Sequence, residues 1–186
     1  MTGQSGDRTR SWRHSPPGAT LPRIAPVPMT AAAWAPFGWL PVEDTDPADA
    51  TAPHLVFEWA DAHANVISHR FDEVVGGPGV LRCGELFRHD AHTQTLLVLD
   101  VPAVVAVAET TVAFAGPQDA AAIRAFRLEP LQALVLRRGT WHWGPYPVSD
   151  GTVHLFNIQG WRYLEDNRRV DLDDAGAAVE VVVSPA

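Results

Sequence analysis

Lysine is absent from this 186-residue chain, so its 14 cationic side chains are all arginines. That removes Schiff-base chemistry, lysine general bases and the lysine of phosphate-gripping loops. Cysteine occurs once, at Cys83, which rules out an internal disulfide and a thiolate zinc cluster. A lone cysteine suits a reducing, cytoplasmic setting. Long apolar runs are missing, so no membrane-spanning helix is expected. The N-terminal arginines are not followed by the apolar core of a secretory signal. Charged residues are scarce, at 19%, and the net charge is −8, a poor match for nucleic acid or an acidic membrane. Any catalysis must come from His, Asp, Glu, Arg, Tyr or a metal.

Hydrophobic residues reach 46%, enough for one well-filled core. Residues 1–25 are rich in Pro, Gly, Ser and Arg without periodicity and read as a disordered or extended arm. The domain proper is expected over 26–186. Thr30 before Ala31-Ala32-Ala33-Trp34 predicts a capped short helix, stopped by Pro36 and Gly38. An acidic loop is expected at 43–53. Short strands follow: Leu55–Trp59, Asn65–Phe71, Val80–His89, Gln94–Leu99, Ala103–Ala108, Leu131–Leu136, Val153–Gln159 and Val179–Val183. Pro117 opens a short helical stretch through QDAAAIRAF. Many short strands with Gly/Pro turns and one or two minor helices predict an all-β sandwich or barrel.

Two blocks concentrate groups able to do chemistry. In GELFRHDAHTQ, residues 84–94, an extended backbone puts Glu85, Phe87 and His89 on one face and Leu86 and Arg88 on the other. In RRGTWHW, residues 137–143, alternation after Gly139 groups Thr140 with His142 and Trp141 with Trp143. The tryptophans read as packing. Arg138 falls on the His142 face by simple counting. His154 lies in phase with Phe156 and Ile158, which would aim it into the barrel. His92 reads as a solvated loop residue, and Arg168-Arg169 with the acids of 171–174 as a solvated face.

These blocks resemble the paired motifs of the cupin superfamily. The first has the spacing H-x-H-x4-E, but with Phe87 and Gln94 at its outer ligand positions. The second retains Gly139 and His142. The resemblance sharpens to the ureidoglycolate lyase family: Trp34-Ala35-Pro36-Phe37-Gly38 is similar to its opening, Glu85-Leu86-Phe87-Arg88-His89 with Thr93-Gln94 to its "ELxRH…TQ", Ile123-Arg124-Ala125-Phe126 to its "LRAF" and Gly139-Thr140-Trp141-His142 to its "GxWH". Arg137, Trp143-Gly144 and Gln159-Gly160 depart from the family pattern, which implies a rebuilt pocket.

The resemblance implies a cupin-type jelly-roll barrel, usually a homodimer, that cleaves the small-molecule substrate ureidoglycolate to glyoxylate and urea. His89 and His142 would then supply acid and base, in an order left open. Gln94, Arg138 and His154 would bind substrate, with an arginine taking its carboxylate. No redox cofactor is required. A divalent metal would be held weakly, by His89, Gln94 and His142, unless another donor such as His154, Glu85 or His92 joined them. The same fold could instead serve another small carboxylate or carbonyl compound, or bind a small molecule without turning it over.

Overall fold

The computed structural model describes residues 20–41, 53–58 and 61–183. Among these, fifteen strands in three sheets carry the fold. The central six-stranded sheet runs β14 (Asn167–Asp171), β7 (Glu85–His89), β12 (Trp141–Pro147), β9 (Ala103–Ala108), β10 (Arg124–Leu128), β2 (Val27–Pro28). A five-stranded sheet faces it: β3 (Gly38–Trp39), β11 (Ala133–Leu136), β8 (Gln94–Val98), β13 (Thr152–Gly160), β4 (Ala62–Arg70). The remaining four, β1 (Arg23–Ile24), β15 (Val179–Val182), β6 (Val80–Cys83) and β5 (Val75–Gly77), form a third sheet.

Strand β9 shows why the sequence builds three layers. All six of its residues are small or β-branched, and all six are buried. Ala103, Val105 and Val107 face the five-stranded sheet, in a core with Leu96, Phe126, Leu134 and Leu155. Val104, Ala106 and Ala108 face the other way, in a second core with Leu81, Leu86, Trp141, Trp143 and Val181. A strand apolar on both faces has to lie between two layers. The space between the central and five-stranded sheets is the barrel interior.

Thr30 caps helix α1 (Ala31–Trp34) as expected, its side chain accepting the Ala33 N–H at 3.3 Å. The helix plugs one end of the barrel with Trp34, which is fully buried and donates from Nε1 to the Val135 carbonyl at 3.0 Å.

Several expectations need correction. The helix predicted after Pro117 is a 3-10 turn over Pro117–Ala122, and the chain then enters β10. Pairing with β9 from Arg124 to Leu128 overrides the helical leaning of the alanines. The single strand predicted from Val80 to His89 breaks at Gly84 into β6 and β7, which belong to different sheets. Within the expected arm, Arg23–Ile24 form β1 beside β15. Residues 1–19 of the arm lie outside the described residues, as does the acidic loop apart from Pro53. Residues 160–174 contain β14, which pairs with β7 from Asn167 to Asp171. Trp141 and Trp143 are buried, in keeping with their reading as packing.

Candidate active site at the polar end of the barrel

Inside the barrel the lining changes from apolar to polar toward one end. On β8, Val98 and Leu96 give way to Gln94, and on β13, Val153 and Leu155 give way to Asn157 and Gln159. The β13–β4 register sets Asn157 opposite Asn65 and Gln159 opposite His63. An amide chain joins them: Gln94 Nε2 donates to Asn157 Oδ1 at 2.9 Å, and Asn157 Nδ2 donates to Asn65 Oδ1 at 2.8 Å. Gln94 Nε2 also lies 3.4 Å from Gln159 Oε1. These bonds fix the Gln94 amide and leave its Oε1 buried without a partner among the described residues.

The central sheet supplies the opposite wall. Register places His142 opposite Phe87, so His142, Phe87 and His89 share the inner face. Trp141 and Arg88 share the outer face, where the Arg88 guanidinium lies 4.6 Å over the Trp141 ring. Gly139 ties the two motif blocks together. Its φ of +77° suits glycine, and its N–H donates to the His89 carbonyl at 2.6 Å. The His89 and His142 ring centres stand 5.2 Å apart. Both side chains are buried, at 7% exposure.

Sequence reasoning missed a third imidazole. His92 is not solvated: it is 4% exposed, and its ring stacks on His89 with centres 4.5 Å apart. Its Nδ1 lies 2.9 Å from Oδ2 of Asp166, also buried. Asp166 accepts further hydrogen bonds from the backbone N–H groups of Asp90 at 2.9 Å and Ala91 at 2.8 Å. The carboxylate therefore pins the loop between β7 and β8 and holds the imidazole on it. The Asp90-Ala91-His92-Thr93 sequence of that loop gave no sign of an acid so far along the chain.

Proton positions follow from these partners. A carboxylate and a carbonyl accept, so His92 donates from Nδ1 to Asp166, and His142 donates from Nδ1 to the Thr140 carbonyl at 3.1 Å. In each ring the lone pair is then on Nε2. His92 Nε2 and His89 Nδ1 are buried and have no partner among the described residues. Burial, above all, lowers the proton affinity of all three rings. For His142 the pKa falls to about 4. For His89 the neighbouring His142 and His92 deepen the drop; for His92 the Asp166 carboxylate opposes it. At neutral pH the cluster is a set of uncharged imidazoles.

The other expected site residues lie elsewhere. His154 does not point into the barrel. It is half exposed and its Nδ1 meets Asp100 Oδ2 at 2.5 Å. The inward phase of β13 belongs to Val153, Leu155, Asn157 and Gln159, so Phe156 and Ile158 share the outer face with His154. Arg138 sits at the rim, ion-paired with Glu58. Glu85 pairs with Arg169 at 2.5 Å on a more exposed part of β7. The segment 53–58 straps the mouth through the Thr93 N–H to Val56 carbonyl bond at 3.0 Å and the Glu58 N–H to Ala91 carbonyl bond at 3.2 Å. A void of about 10 Å³ lies under this strap, bounded by Phe57, Glu58, His92, Trp161 and Arg162.

The family model described as ureidoglycolate lyase matches residues 21–179. The chain belongs to the ureidoglycolate lyase family. The match spans all but the last strand residues of the two cores and every wall of the polar interior. No curated protein matches the chain. Among solved structures, a dTDP sugar isomerase from Desulfovibrio desulfuricans G20 is similar over 76% of this chain and 86% of its own, at 13% identity and a TM-score of 0.42.

His89, His92 and Asp166 offer ligand atoms within 4.8 Å of one another, and the unpartnered Gln94 Oε1 belongs to the same interior. A divalent ion held there would act as a Lewis acid toward a hydroxyl or carboxylate oxygen.

Proposed function

We propose that this chain is a lyase that cleaves ureidoglycolate to glyoxylate and urea inside the polar end of the barrel. The observation that carries the reading is the pairing of His142 and His89 on one inner wall, in a chain of the ureidoglycolate lyase family. The reaction moves one proton from oxygen to nitrogen. His142 Nε2 takes the proton of the substrate hydroxyl. The C–O bond becomes the carbonyl of glyoxylate while the electrons of the C–N bond pass to nitrogen. The imidazolium returns the same proton to that nitrogen, releasing urea. A buried imidazole that starts neutral has its lone pair free for the proton, and its lowered proton affinity favours handing the proton on to nitrogen. His89 stands beside the reacting carbon and hydrogen-bonds the substrate. Gln94 Oε1 accepts from a ureido N–H, and Arg138 leaves Glu58 to take the carboxylate as the strap opens.

One observation favours a second reading. Gln159, where the family pattern has an acid followed by arginine, is buried beside Gln94 and makes the far wall neutral. That wall also fits another small carboxylate or carbonyl compound. The test is product analysis with the full chain. Glyoxylate and urea in equal amounts, with no ammonia, are expected. A folded protein that leaves ureidoglycolate untouched, with or without divalent metal, while turning over another hydroxy acid would establish the second reading instead.

A further inference from the structure

A cavity of about 590 Å³ lies outside the histidine cluster, between helix α1, strand β2 and the chain that joins β9 to β10. That size is ordinary for a small-molecule site. Its lining is mostly apolar, with Val27, Ala33, Pro36 and Val112 around Phe37 and Phe126. The floor is rigid. The Phe37 and Phe126 ring centres are 5.7 Å apart and stand 5.6 and 5.2 Å from the buried Trp34 ring. The Phe37 carbonyl is tied down by the Thr140 hydroxyl at 2.9 Å. A chamber already built spares a ligand the cost of ordering it. Two opposite charges, Arg124 and Glu109, complete the lining. Arg124 Nη1 donates to the Ala121 and Ile123 carbonyls at 2.9 and 3.5 Å, so neutral groups hold the guanidinium. Neither Arg124 nor Glu109 forms an ion pair among the described residues. We propose that this cavity binds an α-amino acid with a large apolar side chain, its carboxylate on Arg124 and its ammonium on Glu109.

Charge complementarity selects this occupant. A cation and an anion that line one cavity without pairing match a ligand carrying both signs. A plain carboxylate would suit the planar fork of Arg124 but meet Glu109 as a like charge. A plain amine would suit Glu109 and meet Arg124. A larger anion, such as a nucleotide, would face Glu109 and a chain of net charge −8. An uncharged apolar molecule would use the aromatic floor and leave both charges idle. A second copy of the chain fits poorly, because Val27, at 46% exposure, is the one large aliphatic side chain openly exposed in this lining. A stable pairing needs a patch of about 800 Å² on each partner. An amino acid with an aromatic or branched side chain meets all three features: the fork, the carboxylate and the apolar floor.

The site is independent of the reaction, and its test needs no ureidoglycolate. The full chain is titrated calorimetrically with L-phenylalanine and with two analogues that each lack one charge, 3-phenylpropionate and 2-phenylethylamine. L-phenylalanine is expected to bind once per chain, with a dissociation constant of about 1 mM or below. Each analogue should bind about tenfold or more weakly, the loss of one charge-assisted hydrogen bond. Arg124→Gln should remove the preference for L-phenylalanine over 2-phenylethylamine, and Glu109→Gln the preference over 3-phenylpropionate. Misfolding cannot produce that crossed pattern. Ala33→Trp should fill the cavity and abolish binding of all three. Absence of binding at about 10 mM L-phenylalanine would overturn the proposal. So would equal binding of the three compounds, which marks an apolar patch, or binding that Arg124→Gln and Ala33→Trp leave unchanged, which places it elsewhere. Sedimentation showing that the chain self-associates and that Ala33→Trp disperses the assembly would give the cavity to a second copy and overturn it too.

Discussion

His92 and Asp166 meet across 2.9 Å inside the barrel mouth, each 4% exposed, one on the loop after β7 and the other just before β14. The pair joins a loop residue that sequence patterning marks as solvated to a segment it leaves unplaced. Removing Asp166 leaves the Asp90 and Ala91 N–H groups and His92 Nδ1 without their acceptor. Asp166→Ala is expected to cost about 3–5 kcal/mol in urea denaturation, because it orphans three buried donors at about 1–3 kcal/mol each. A loss below about 1 kcal/mol would mean that the loop is held by other contacts.

The buried imidazoles make the fold sensitive to acid. Unfolded, the His142 ring takes a proton near its ordinary value of 6.5; folded, it does so only near 4. Between those values the unfolded chain holds more protons, so stability rises with pH across the window and falls as pH drops from 6.5 toward 4. The contribution of His142 alone is on the order of 3 kcal/mol. His89 and His92, also lowered, act in the same direction. Melting temperature measured from pH 4 to 8 should fall steeply on the acid side, and His142→Gln should flatten the slope.

Gly38 marks where the plug helix meets the barrel. A Cβ there would stand 1.8 Å from the Val135 carbonyl oxygen, the same carbonyl that accepts from Trp34 Nε1. Gly38→Ala must therefore break the β3–β11 pairing. A loss of more than about 2 kcal/mol is expected, on the scale of strained core substitutions. Near-unchanged stability would show that the plug is loosely seated.

How much of this was legible in the sequence depends on how local the cause is. The Thr30 cap and strand β9 were read from neighbouring residues, because capping and two-sided burial leave their signatures within a few positions. That His89 and His142 belong to one interior came from the paired-motif resemblance; alternation within each block gave only which neighbours share each histidine's face. His154 was read in the wrong phase because the inner face of β13 changes from Val153 and Leu155 to Asn157 and Gln159, and the apolar Phe156 and Ile158 then mimic a core stripe. Arg124–Phe126 read as helix because pairing to β9 is a long-range cause. Asp166 had no local signature at all: it is one acid among several, distinguished only by what folds onto it.

Arg138 separates binding from chemistry. Its pair with Glu58 is exposed at the rim, so Arg138→Ala should leave stability within about 1 kcal/mol of the parent. Loss of a charge-assisted hydrogen bond to the substrate carboxylate should raise KM for ureidoglycolate about 10- to 100-fold with little change in kcat. An unchanged KM would move carboxylate recognition to another cation at the mouth.

The most direct test of the central claim is the rate of glyoxylate release from ureidoglycolate by the full chain, compared with His142→Gln of matched folded content. Loss of the proton carrier should lower kcat by about 10²- to 10⁴-fold. A folded His142→Gln protein releasing glyoxylate at close to the parent rate would contradict it.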